Sequence, residues 1–247
     1  MDKKYWDEVS LKHDEKIFDV FSNDKDKVIQ SAIIKYASRN KSVMDLGCAI
    51  GNWLPLLASN FKKVYAIDIS KHYIDKAKER NKKFTNIEYI HADLSNKTNA
   101  LPVSDFAVCI NTLLTPNTKD RNAAYKTVIN LIRKGGYLVL VVPSLESALY
   151  SEYILDQWDL KDKQAGKKVS KKTKKDGEPF EGTIFLDGTP TKHHLKEELR
   201  FMLQNSGFKI LQTDKVKYIW KTEFTNPPAW MKAPFPWDWL VVAKKLT

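Results

Sequence analysis

Between Ser42 and Pro143 five short apolar segments recur, most of them spaced by stretches of helical period, and that rhythm leaves few folds open. "SVMDL" (Ser42–Leu46), "KVYAID" (Lys63–Asp68), "NIEYIHAD" (Asn86–Asp93), "DFAVCIN" (Asp105–Asn111) and "GGYLVLVVP" (Gly135–Pro143) read as strands. Helices are expected from Asn52 to about Asn60, over "SKHYIDKAKERNKK" with Ser70 as N-cap, and from about Lys119 to Arg133. Strands alternating with helices at this spacing predict a parallel sheet covered on both faces. Apolar residues make up 43% of the chain, enough for the core such a sheet requires.

The flanks break the rhythm. Residues 1–40 read as helices, with Ile17, Val20, Phe21, Val28, Ile29, Ala32 and Ile33 near a helical period and a break at Ser22-Asn23. After Pro143, "SLESALYSEYILDQWDL" is helical, a Lys-rich block follows, and "FEGTIFLDG" reads as a strand. "TKHHLKEELRFMLQNSG" is expected to be a helix opened by His193 and His194 and closed by Gly207. "FKILQTDKVKYIW" and "DWLVVAKK" supply a sixth and a seventh strand.

Composition removes several function classes. The formal charge of +11 suggests nucleic acid, yet Arg is limited to Arg39, Arg80, Arg121, Arg133 and Arg200, and bidentate phosphate or guanine recognition favours Arg. The densest basic block, Lys161 to Glu178, lacks apolar periodicity and reads as a solvated loop, with an RNA or acidic partner as the rival reading. Cys48 and Cys109 are isolated and have no metal-ligand spacing, which predicts no metal and a reducing, cytoplasmic setting. No apolar run approaches the ~20 residues of a membrane span, and the N-terminus has no signal-peptide core.

The first strand runs into "DLGCAIGNW", Asp45 to Trp53. A Gly turn there lets a ligand approach the backbone, with the following helix N–H groups facing it. The spacing Gly47-x-Ala49-x-Gly51 departs from the dinucleotide fingerprint, and no Gly-Lys-Ser/Thr of a phosphate loop follows. "VMDLGCAIGNWLPLLA" resembles the first motif of the class I S-adenosylmethionine-dependent methyltransferases, with Ala49 in place of the middle Gly. "YAIDIS" matches their second motif, "HADLS" their third, and "LIRKGGYLVLVVPS" the stretch through their fifth strand. The resemblance implies a seven-stranded, mostly parallel sheet with an antiparallel last strand, helices on both faces, N-terminal helices and an insertion after strand five. It implies one domain over 1–247: a helical cap (1–40), a cofactor-binding core (41–143), an insertion or lid (144–190), and a final helix and strand pair (191–247). It also implies S-adenosyl-L-methionine as cofactor, held by Asp45, Gly47, Ala49 and Gly51, by Asp68 and Ile69 at the ribose, by Asp93 and Leu94 near the adenine, and by Asn111 beside the methyl donor.

The acceptor side is less marked. Methyl transfer from a sulfonium needs in-line approach in a dry site, and a base only if the nucleophile arrives protonated. "FTNPPAW" (Phe224–Trp230) has the letters of an amino-methyltransferase signature, but that motif follows strand four, where this chain has "NTLLTP". The segment instead lies in a Pro-stiffened connection between the last two strands. Two readings stand for its aromatics: packing on the sheet edge, or an acceptor wall containing Trp220, Trp230 and Trp237. Tyr5 and Trp6 are expected in a lid, and His194 is the candidate base. The resulting expectation is a methyltransferase acting on O or N of a small molecule. The alternatives are an RNA or protein acceptor reached through the Lys-rich loop, and a non-catalytic protein of the same fold.

Overall fold

The computed structural model describes residues 3–11, 19–96, 101–167, 177–178, 181–186 and 188–247. Helices α1 (Lys3–Leu11), α2 (Val20–Asn23) and α3 (Val28–Tyr36) precede the first strand. The alternating core is β1 (Ser42–Leu46), α4 (Leu54–Asn60), β2 (Lys63–Asp68), α5 (Lys71–Arg80), β3 (Ile87–His91), β4 (Ser104–Ile110), α6 (Thr118–Asn130) and β5 (Ile132–Pro143). Then come α7 (Leu145–Gln164), β6 (Gly177–Glu178), β7 (Thr183–Leu186), β8 (Thr189–Lys192), α8 (Lys196–Asn205), β9 (Phe208–Lys217) and β10 (Trp237–Lys245).

Seven strands form one sheet in the order β3-β2-β1-β4-β5-β10-β9. All neighbours pair in parallel except β10, which is antiparallel to both β5 and β9. This is the predicted fold class. The period of two in "SVMDL" explains how one strand serves two cores: Val43 packs with Ile29, Ile33, Leu54 and Leu57 on one face. Met44 and Leu46 pack with Val128, Leu199 and Leu203 on the other. Helices α3, α4 and α5 therefore cover the first face, and α6 and α8 the second.

Some local expectations change. Ser70 is the residue before α5, but its hydroxyl makes no capping bond; Asp68 takes the Ser70 N–H instead. The helix expected from Thr191 starts only at Lys196. Thr189–Lys192 pairs with β7, and His194 bridges to Ser144 through His194 N to Pro143 O (2.8 Å) and Leu145 N to His194 O (3.1 Å). These bonds hold His193 and His194 extended rather than at a helix start. Strand β9 ends at Lys217, so Trp220 lies in a short 3-10 turn. Lys161–Gln164, read as the start of the basic loop, forms the last turn of α7, and residues 168–176 of that block lie outside the described residues.

Helix α3 begins after Lys27 in a left-handed conformation and with no side-chain cap of its own. Asp24 takes over: its carboxylate accepts from the N–H groups of Val28 (2.7 Å), Ile29 (3.0 Å) and Gln30 (3.3 Å). A buried carboxylate bonded to the positive end of a helix replaces the water those donors lose. Asp24→Ala is expected to lower unfolding stability by about 1–2 kcal/mol, read from urea midpoints; an unchanged midpoint would remove this capping role.

Candidate functional site

A cavity of about 900 Å³ opens at the carboxyl ends of β1, β2, β4 and β5. Its floor is the turn after β1. There Gly47 has φ +76°, and Gly47 N and Cys48 N both donate to Ile67 O (2.8 and 3.0 Å). A Cβ on Gly47 would sit 2.4 Å from Thr112 Oγ1. That hydroxyl is itself committed to Leu46 O at 2.7 Å. Only Gly fits, for both dihedral and steric reasons. Gly51 also has a positive φ and is hemmed in by Asn81 and Leu54. Ala49, between them, is held at φ +45° although it carries a Cβ, a conformation that costs about 1–2 kcal/mol for an L residue.

What holds Ala49 there is Asp68. Its Oδ2 accepts from Ala49 N (2.9 Å) while its Oδ1 accepts from Ser70 N (2.9 Å). One carboxylate thus locks the turn after β1 to the turn after β2. Burial pushes the Asp68 carboxyl up to about 6 despite these bonds. Asp45, 2% exposed, has an Oδ2 with no hydrogen-bond partner among the described residues. Burial first, and the charge of Asp68 second, raise its pKa to about 7. Asp93 bends the chain after β3, accepting from Ser95 N (2.8 Å) and Ser95 Oγ (2.7 Å).

Asn111 follows β4 directly at φ +48°, and its Nδ2 donates to Asp238 Oδ2 (3.3 Å) while its Oδ1 is buried without a partner among the described residues. Tyr218 OH also donates to Asp238 Oδ2, at 2.8 Å. The second half of the cavity is built from these groups, from Ser144 before α7, from Ser147 and Ser151 on it, and from Trp237.

The structure brings most sequence-predicted site residues together. Asp45, Gly47, Ala49, Asp68, Ile69, Asp93, Leu94, Asn111, Tyr5, Trp6 and Trp237 all line the cavity. Gly51 supports the turn from behind and does not line it. Trp220 is buried away from it, donating to Lys232 O (2.9 Å) and stacking on Phe224. Trp230 is 39% exposed, with Lys161 Nζ 5.3 Å from its ring centre, and also lies outside. Of the Pro-stiffened connection, only its ends reach the cavity, through Thr222, Glu223 and Trp237.

The expectation of His194 as base is corrected. It is 1% exposed and outside the cavity, with Nε2 3.5 Å from Leu113 O and Nδ1 3.7 Å from Glu198 Oε1. Burial lowers its pKa, so it serves as a neutral structural side chain. Sequence reasoning missed Asp238, Tyr218 and the serines of α7. A signal for Asp238 was present: an acidic residue between two tryptophans at the head of the apolar run "WDWLVV".

Residues 43–136 match the family model described as a methyltransferase domain. No curated protein matches the sequence. Among solved structures, a SAM-dependent methyltransferase from Methanosarcina mazei superposes with TM-score 0.61 at 21% identity, covering 87% of this chain and 96% of that one. The N-methyltransferase NodS from Bradyrhizobium japonicum, in complex with S-adenosyl-L-homocysteine, gives 0.60 at 12% identity over 92% and 88% of the two chains. Magnesium protoporphyrin IX methyltransferase from Synechocystis, with bound SAM, gives 0.56 at 16% over 92% and 80%. The chain has the fold of the class I SAM-dependent methyltransferases, and the matched residues include the Gly turn, Asp45 and the locking carboxylate of Asp68.

Two outcomes test this geometry. Gly47→Ala is expected to cost about 1–3 kcal/mol of stability, whereas Ala49→Gly costs none or stabilises; equal denaturant midpoints for the two variants would contradict the strain assignment. A raised carboxyl pKa stabilises the fold fully below its ordinary value of 3.8, and that contribution fades as pH rises through the folded value of about 7. Between pH 5 and 8 the unliganded protein should therefore lose on the order of 3 kcal/mol relative to Asp45→Asn. Parallel stability curves for the two proteins would count against it.

Proposed function

We propose that this chain, whose residues 43–136 form a methyltransferase domain, uses S-adenosyl-L-methionine to methylate an oxygen or nitrogen of a small molecule. The observation that carries the reading is the orphaned Asp45 Oδ2 beside a glycine turn that has no room for a Cβ. A buried carboxylate oxygen without a donor suits the ammonium of a methionine moiety. The unpartnered Asn111 Oδ1 offers a second acceptor for it. Asp68 has lone pairs beyond those used by Ala49 and Ser70, which fit it to the two ribose hydroxyls. Ile69, Asp93 and Leu94 frame the region expected for the adenine.

The cofactor supplies an electrophilic methyl group whose leaving group is already in place. The chain's own residues are left with binding, orientation and exclusion of water. Tyr5 and Trp6 of α1, together with Phe21 packed edge-on against Trp53, close the cavity from the N-terminal side. The segment after β5 closes it from the other, through Ser147, Ala148 and Ser151 of α7 and through Leu186 and Thr189, while the buried Lys192 ties Glu181 O to Glu198 of α8. The similar structures with named activities include an N-methyltransferase and a porphyrin methyltransferase, so they support no single acceptor.

The acidic lining bears on the rival acceptor. Asp19, Asp45, Asp68, Asp93, Asp120, Glu223 and Asp238 line the cavity, and Lys3 is its only Lys or Arg among the described residues. A polyanion such as RNA would have to present its reacting atom against that field. A neutral or cationic small molecule would not.

Asp68→Ala is expected to weaken binding of S-adenosyl-L-homocysteine by about 100-fold, two charge-assisted hydrogen bonds being lost. Calorimetry measures this, and unchanged affinity would defeat the cofactor assignment.

A further inference from the structure

We infer that the acceptor is a small amine, bound by the Asp238 carboxylate in the half of the cavity beyond β4. The inference rests on the methyltransferase reading and adds the acceptor's class and its binding group.

The order of the sheet divides the cavity. Asp45 and Asp68 stand at the carboxyl ends of β1 and β2 and Asp93 just beyond β3, on one side of the point where the strand order reverses. A ligand held by those carboxylates lies on that side, at the switch between β1 and β4. Asp238, the second residue of β10, is opposite Pro143 at the end of β5, on the other side. Asn111, at the end of β4, stands between the two halves and touches Asp238. The carboxylate is therefore next to the place where a methyl group would be delivered, and none of the expected cofactor contacts uses it.

Asp238 is 8% exposed and carries two neutral donors on one oxygen, Tyr218 OH and Asn111 Nδ2, both on Oδ2. Oδ1 takes part in neither bond and is left for a ligand of the cavity that Asp238 lines. Among the described residues no cation neutralises the group in this half: Glu223 is the nearby charged neighbour and has the same sign. Lys215 lies over the ring of Trp237, 3.4 Å from its centre, but does not line the cavity. A buried carboxylate kept by two neutral donors and a second acidic residue is arranged for a cationic partner. An alkoxide, phenolate, carboxylate or phosphate would be repelled.

Two further buried atoms point to a ligand at this end. Ser151 Oγ and Trp237 Nε1 have no hydrogen-bond partner among the described residues, although both side chains belong to cavity-lining residues. Ser151 is 2% exposed and Trp237 8%. Both can donate, so they suit an uncharged oxygen elsewhere on the same molecule. Ser144, the N-cap of α7, and Ser147, Ala148 and Ser151 on it recur at intervals of three and four residues and line the cavity together with Trp237. These small side chains leave room for the body of a ligand between the amine and the oxygen.

The reaction balances with the groups present. The amine enters as an ammonium paired with Asp238 and passes one proton to that carboxylate. The freed lone pair forms the new N–C bond as the methyl carbon–sulfur bond breaks, its electron pair going to sulfur. The methylated ammonium then leaves, and Asp238 returns its proton to water.

The test uses the full chain and labelled S-adenosyl-L-methionine, with tyramine and ethanolamine offered beside the alcohols and carboxylates of the same skeletons. Methyl transfer to the amines is expected, with Asp238→Asn lowering kcat/KM by about 100-fold or more. The variant should still bind S-adenosyl-L-homocysteine within about threefold of the parent, which also reports that it has folded. Preference for the alcohols or carboxylates, no transfer to either amine, or full amine activity in Asp238→Asn would each overturn the assignment of acceptor and residue. Failure of the parent protein to bind S-adenosyl-L-homocysteine would instead defeat the methyltransferase reading beneath it.

Discussion

The site depends on the missing side chain of Gly47. Because no Cβ stands there, Thr112 can approach from the end of β4 and close its hydroxyl onto Leu46 O. The same turn gives two N–H groups to Ile67 O of β2. Three strands are thereby tied together at one residue, with their carboxyl ends at a common level. That level decides where Asp45, Asp68 and Asn111 can stand, because each lies at or beside the end of its strand. A side chain at 47 would push β4 away and take the floor from the cavity.

The Asp68 carboxylate completes the arrangement at some cost. It holds Ala49 in a conformation that glycine would adopt more readily, and it sits beside a second buried acid, one oxygen of which has no hydrogen-bond partner among the described residues. Burial raises both carboxyl groups well above their ordinary range, so the unliganded fold is under electrostatic strain near neutral pH. Destabilised carboxylates of this kind are common where a ligand supplies the missing partner. The strain is local, since β1 is otherwise buried in apolar packing on both faces.

Much of this was legible in the sequence because it rests on short-range rules. Strand periodicity, helix pattern and the Gly-x-Ala-x-Gly spacing act within a few residues, so five core strands and the acidic turn residues fell close to their places. The parts that were not legible depend on partners far apart in the chain. His193 and His194 follow a helical pattern, yet bonds to Pro143 and Leu145 keep them extended. Nothing near Trp220 in sequence says that it packs on Tyr150 of α7 instead of on a ligand. Asp238 meets Asn111 across 127 positions. Such contacts are products of topology.

Topology also explains why the aromatic-rich connection contributes by its ends. Phe224 and Trp220 pack against Tyr150 and Trp158 of α7, so the middle of the connection is anchored to the insertion helix. That anchoring fixes the distance between Thr222 and Trp237, the residues that do reach the cavity. It also fixes α7, whose serines form the opposite wall, and Ser147 Oγ takes the Trp237 N–H directly at 2.8 Å. The segment "FTNPPAW" is thus a brace between two walls of one site. An insertion after β5 and a connection before β10 then act together, holding a small-residue face and an indole at a set separation beside a buried carboxylate.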